Sequence, residues 1–102
     1  MIKYGLHNRL TAVPGKRDEL ASILLEASRL VAKSKGCQIY VVSRDPSDPD
    51  SVCITEVWDS REDHDDSLRN DLVRQLIGKA MPLLAGMPEK GQQLEVLGGL
   101  GV

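Results

Sequence analysis

From residue 2 to residue 13, apolar and polar positions alternate. Ile2, Tyr4, Leu6, Asn8, Leu10 and Ala12 share one face, and Lys3, Gly5, His7, Arg9, Thr11 and Val13 share the other. A period of two is the mark of a strand with one apolar face. Asn8 is the polar exception on that face, and Pro14-Gly15 ends the strand. The period then changes to three and four. Leu20, Ile23, Leu24, Ala27, Leu30 and Val31 form one stripe, opposite Arg17, Ser22, Glu26, Arg29 and Lys33. This predicts an amphipathic helix with Gly36 as its C-cap. Residues 37–44 are rich in β-formers, Asp45-Pro46-Ser47-Asp48-Pro49-Asp50 is a turn cluster, and residues 52–58 return. A hairpin centred on Ser47–Asp48 sets Cys53 opposite Val42 and Cys37 opposite Trp58, with Val52, Ile54, Glu56 and Trp58 on one side.

Ser60, with Asp63 three residues on, opens a short helix that runs to about Leu68. Asn70 or Asp71 can cap a second one, whose stripe is Leu72, Val73, Leu76, Ile77 and Ala80. Pro82 perturbs or ends it, and Leu83, Leu84 and Met87 are expected to continue as a buried cover. Leu94-Glu95-Val96-Leu97 is the last strand. The order β-α-β-β-α-β predicts an α+β, ferredoxin-like domain over residues 1–97: a four-stranded antiparallel sheet with helices on one face. Residues 98–102 form a glycine-rich tail, expected to be mobile unless a partner subunit holds it. The uncovered sheet face would leave Val13 and Val57 wet in a monomer. Two sheets pairing face to face remove that cost, which predicts a homodimer.

Composition narrows the function classes. The 102 residues make one domain, which buries roughly 60–65% of its unfolded surface. Aromatics are 3% with no Phe, so Leu, Ile, Val, Ala and Met must build the core. A net charge of −2 and the lack of aromatic stacking platforms argue against nucleic acid as a partner. No apolar run approaches the ~20 residues of a membrane span. Met1-Ile2-Lys3-Tyr4 reads as strand rather than signal peptide, which gives the expectation of a cytoplasmic protein. Cys37 and Cys53 lack metal-ligand spacing and do not face each other, so both are expected to be buried thiols. The Asp45–Asp50 run has the composition of a calcium loop, but its prolines mark a hairpin turn.

Candidate chemistry gathers in Glu56-Val57-Trp58-Asp59-Ser60-Arg61-Glu62-Asp63-His64, where a strand carboxylate, the only Trp and an imidazole meet at a strand-to-helix junction. His64 is either a catalytic or ligand residue, or a partly exposed structural histidine among carboxylates that favour its imidazolium form. Glu56 is either a base or a structural partner of Arg9 or Arg44. Asn8 is either a pocket residue or a satisfied structural amide, because a buried unpaired amide costs about 1–3 kcal/mol. His7 faces away from Asn8 and is expected on the sheet–sheet interface. A metal site from His64 with Asp63 or Asp65 is disfavoured, because adjacent helical residues point in different directions.

The junction is similar to the E-x-W-x-[ST]-x-E-x-H element of antibiotic biosynthesis monooxygenase (ABM) domains. Further matching residues run in order along the chain: Asn8-Arg9-Leu10-Thr11, Pro14-Gly15-Lys16, Gly36-Cys37, Tyr40, Asp45-Pro46, Ala80-Met81-Pro82-Leu83-Leu84 and the Gly-Gly-Leu-Gly end. The resemblance implies a dimeric α+β barrel of ferredoxin-like subunits. It also implies a cofactor-independent monooxygenase that uses O2 on a small phenolic, quinol or polyketide-type substrate. On that reading His64 acts as base or oxyanion partner and Asn8 orients a substrate oxygen. Trp58 walls the pocket, with Tyr4 and Glu56 as secondary substrate contacts, and no metal or cofactor is required. The alternatives are a non-catalytic small-molecule-binding or stress-related dimer, or an isomerase or other cofactor-free enzyme, of the same fold. A haem-degrading branch shares the Asn-Arg-Leu-Thr strand, but Ser67 and Ile77 stand where that branch needs a second Trp and an axial His. In many quinol-oxidising relatives the helix His lies nearer the position of Ser67 than that of His64.

Overall fold

A computed structural model describes residues 2–87 and 90–102. Seven elements follow the expected order: β1 (Lys3–Thr11), α1 (Arg17–Val31), β2 (Cys37–Arg44), β3 (Ser51–Trp58), α2 (Arg61–Ser67), α3 (Asp71–Ala80) and β4 (Gln92–Val96), with a 3₁₀ turn at Met81–Leu83 before β4. The sheet order is β2-β3-β1-β4, antiparallel throughout. This is the ferredoxin-like α+β arrangement. Among the described residues, no helix is long and apolar enough to cross a membrane.

The alternation along β1 and β3 places the core. Ala12, Val52 and Ile54 meet Leu20 and Leu24 of α1 and Ala80 of α3 in one buried cluster. Val31, Trp58 and Val73 form a second. Each Val, Leu or Ile side chain so buried contributes roughly 1.5–3 kcal/mol. Between the two clusters the inner face of the sheet is not filled, and a cavity remains.

Four local expectations are corrected. Helix α1 stops at Val31, five residues before Gly36. Turn hydrogen bonds from Lys33 and Ser34 back to Leu30 and Val31 close it, and Gly36 instead makes a turn at φ +83° into β2. Cys53 pairs with Ser43, not Val42, although Cys37 does pair with Trp58. The pairs from Ile39 to Arg44 are centred on Asp48 rather than Ser47–Asp48, which moves Cys53 by one. A bulge between Cys37 and Ile39 shifts the register back, so Cys37 still meets Trp58, and counting from the turn cannot see it. Met87 is exposed rather than a cover: it follows a glycine turn, Gly86 at φ +95°, that comes after the last contact of this segment with β1, Ala85 N–H to the Thr11 carbonyl. Val57 is buried on the outer face, not wet. The tail turn, closed by Val102 N–H to the Gly99 carbonyl at 3.3 Å, brings Gly101 against Ile39, the cross-strand neighbour of Val57.

Ion pairs sort the charged strand residues by face. Arg9 lies on the outer face and reaches Asp48 at 2.8 Å and Asp45 at 3.2 Å; Arg44 reaches Asp18 at 3.3 Å. Neither meets Glu56, so the pairing with Arg9 or Arg44 is overturned. The Asp45–Asp50 segment is a hairpin turn in which Asp45 accepts from Ser47 N–H and Oγ–H, and Asp48 accepts from Asp50 N–H. His7 is exposed on the outer face, 3.1 Å from Thr55 Oγ1.

Candidate active site

A cavity of about 400 Å³ lies between the inner sheet face and the helices. Its floor is Tyr4, Leu6, Asn8 and Leu10 of β1 with Tyr40, Ile54 and Glu56, and its walls include Leu24, Ala27, His64 and Leu76. Volume and lining fit a small organic ligand, with a few polar groups set in an apolar wall. Asn8, Tyr4, Glu56 and His64 were all read from the sequence, and all four line it.

Glu56 carries the site's electrostatics. Its side chain is 7% exposed, and Oε1 accepts a 3.0 Å hydrogen bond from Trp58 Nε1–H, two residues on along the same face of β3. His64 Nε2 lies 3.9 Å from the same oxygen, close enough for an ion pair but too long for a direct hydrogen bond. Burial pushes the Glu56 carboxyl above its ordinary value, against the opposing pull of the Trp58 hydrogen bond and of the charge on His64.

His64 is held from several sides. Ser60 caps α2, its Oγ accepting from Asp63 N–H at 3.1 Å, so the following turn projects the imidazole back over the end of β3. Nδ1 meets Asp65 Oδ1 at 2.9 Å. A carboxylate there requires a donor, so the proton sits on Nδ1 and Nε2 is left to face Glu56. The Trp58 ring meets the imidazole edge-on at 5.8 Å and 82°, and the Tyr4 ring is tilted over it at 5.4 Å. The hydrogen bond to His64 draws the Asp65 carboxyl below its ordinary value.

Trp58 does not itself wall the cavity. It is fully buried behind Glu56 and His64 and holds both in place. Sequence reasoning did not assign Tyr40 and Gly91 to the site. Tyr40 pairs with Glu56 across β2–β3 and lines the cavity; burial first, and the Glu56 charge second, push its phenol well up, so it remains a donor at neutral pH. Gly91 lies against the Asn8 amide and Leu6 Cδ1, where any Cβ would collide with both. Tyr40 could have been found from its register with Glu56; Gly91 offered only the look of a loop break.

The cavity holds Asn8 and His64 and is open rather than filled by Leu and Met side chains. A family profile described as "Antibiotic biosynthesis monooxygenase" matches residues 3–79. No curated protein matches the chain. Among solved structures, a candidate antibiotic biosynthesis monooxygenase from Chloroflexus aurantiacus J-10-fl is 41% identical, with a TM-score of 0.87 over 97% of each chain. A candidate antibiotic biosynthesis monooxygenase from Caulobacter crescentus CB15 is similar in fold at 20% identity, with a TM-score of 0.86 over 95% of this chain and 92% of the other. So is SnoaB, a cofactor-independent oxygenase from Streptomyces nogalater, at 16% identity and a TM-score of 0.82 over 98% of each. The profile covers most of the domain and the Chloroflexus relative nearly all of it, so the chain belongs to the antibiotic biosynthesis monooxygenase family.

Proposed function

We propose that the protein is a homodimeric, cofactor-independent monooxygenase that oxidises a small phenolic or quinol substrate with O2. The observation that carries this reading is the His64–Glu56 pair at the wall of an apolar cavity: a base with one fixed tautomer beside a carboxyl that burial makes reluctant to ionise.

His64 Nε2 takes the proton of the substrate hydroxyl, and Asp65 holds the imidazolium that forms. The resulting phenolate or enolate is electron-rich enough to pass an electron to O2, and the two radicals combine at carbon. On a methylene substrate of the anthrone type, one oxygen atom becomes the new ring carbonyl and the other leaves as water, so CH2 and O2 give C=O and H2O. Asn8 and Tyr40 orient the substrate oxygens, and the aliphatic wall keeps water from the reactive anion. Trp58 positions Glu56 and His64.

Two features support the dimer. The outer sheet face exposes Val41 and Leu94 at about half their surface. The chain's accessible surface is 6530 Å², against the roughly 5,700 Å² expected of a monomer of this mass.

Oxygen consumption over a panel of quinols and anthrones tests the activity. The wild type is expected to exceed the uncatalysed rate. His64→Ala is expected to lose about a hundredfold or more, and Asn8→Ala to lose activity mainly through KM. Uptake no faster than the uncatalysed rate across the panel would remove the monooxygenase reading and leave the ligand-binding dimer.

A further inference from the structure

The cavity has two chemically different ends. At one lie His64, Glu56 and Tyr4. At the other lie Asn8 and, at the rim, Gly91 and Lys90. The strand register sets their separation. Glu56 pairs with Leu6, and Asn8 pairs with Ile54, so the two polar ends are offset by two residues, or about 7 Å, along the sheet. The floor between them is Leu6 and Ile54, with Leu24 on the helix side; all three are apolar.

Among the described residues, the charges on the lining are unbalanced: Lys90 and Arg61 contribute two cations, and Glu56 is the only carboxylate. Arg61 is engaged by Asp65, Nε to Oδ2 at 3.6 Å. Lys90 adjoins Gly91, whose lack of a Cβ lets the backbone press against the Asn8 amide. A glycine there brings the ammonium-bearing residue to the Asn8 end of the cavity, where the amide offers a second donor.

We infer that the cavity takes an aromatic substrate bearing a carboxylate on the side of the ring system opposite its ionisable hydroxyl, with Lys90 and Asn8 receiving the carboxylate while the hydroxyl faces His64. The inference rests on the reading of this cavity as the substrate site and makes Lys90 a specificity-determining residue. The offset requires a spacer of one or two rings. A carboxylate next to the hydroxyl cannot reach Lys90 while the hydroxyl stays at His64.

Titration calorimetry on the whole protein at neutral pH tests it with three probes: 6-hydroxy-2-naphthoate, whose two groups lie across the rings, 3-hydroxy-2-naphthoate, whose groups are adjacent, and 2-naphthol, which has no carboxylate. The 6-hydroxy isomer is expected to bind about tenfold more tightly than 2-naphthol at low salt, with a smaller preference at high salt. The adjacent isomer is expected to gain nothing. Lys90→Gln, a change at an exposed position, is expected to bring the 6-hydroxy isomer to parity with 2-naphthol and leave 2-naphthol unchanged. Equal affinities in the wild type, a gain shared by both isomers, or a preference that survives Lys90→Gln would overturn the inference. In those cases 2-naphthol still binds and the cavity stands as the substrate site. If none of the three probes binds, both readings fall.

Discussion

Three side chains, Glu56, Trp58 and His64, meet at one end of the cavity. Glu56 has its folded-state value raised above the ordinary 4.5 by burial. The neutral acid is therefore the form the fold prefers. Its contribution to stability is fully present below about pH 4.5 and is lost as pH rises through the raised value. Glu56→Gln keeps an oxygen acceptor for Trp58 Nε1–H and cannot ionise. Thermal melting over a pH series should show variant and wild type alike near pH 4, with the variant more stable above neutrality. A variant less stable at high pH would mean that the ionised carboxylate is held by more than Trp58 and His64. The sequence placed Glu56, Asn8 and Tyr4 on inward faces because alternation in a strand fixes the face of every second residue. It could not pair Glu56 with His64, since that meeting depends on how sharply α2 folds back over β3. Local charge drew attention to Asp63 and Asp65 instead.

At the scale of elements, short-range chemistry was legible and strand register was not. Asn70 caps α3, its Oδ1 accepting from Leu72 and Val73 N–H, and Ser60 caps α2, as their side chains require at a helix start. The bulge after Cys37 has no mark in composition, and it alone explains why one of two pairings counted from the same turn was right. The end of α1 was misplaced for a related reason. Gly36 is needed at positive φ beside the Asp63 side chain, where the β3–α2 junction crosses it, rather than for the helix itself. Asp59 N–H donates to the Gly36 carbonyl at 2.8 Å, which ties that junction to β2. Helix α2 has seven residues and carries His64, so its cap matters out of proportion to its length. Ser60→Ala should cost about 1 kcal/mol, or a melting temperature about 4–8 °C lower. Amide exchange should rise at Asp63 and His64 before it rises in the sheet. Uniform change across the sheet would mean that α2 and the sheet open as one unit.

At the scale of the whole molecule, element order gave the architecture, because a split pair of βα units with antiparallel strands has few ways to close. The assembly is a question about the outer face. Part of that face is occupied by the chain's own tail beside Ile39, and Val57 is dry without a partner. The rest, with Val41 and Leu94 exposed, is the surface on which a second copy should sit. Sedimentation should give twice the 11.2 kDa chain mass at micromolar concentration. Val41→Asp, an exposed change on β2, should shift the protein towards the monomer, since an unpaired charge between two sheets would have to be desolvated. A wild-type monomer under those conditions would remove the dimer from the reading.

The bond between Trp58 and Glu56 also gives the molecule its own optical probe. The chain has a single Trp, so the whole indole emission originates at a ring whose N–H is bound to the titrating carboxyl and whose edge meets the imidazole. Loss or gain of a proton at Glu56, or a substrate settling against His64, changes the field at that one ring. No unrelated Trp dilutes the signal, so the spectrum can follow the state of the cavity in solution without a label.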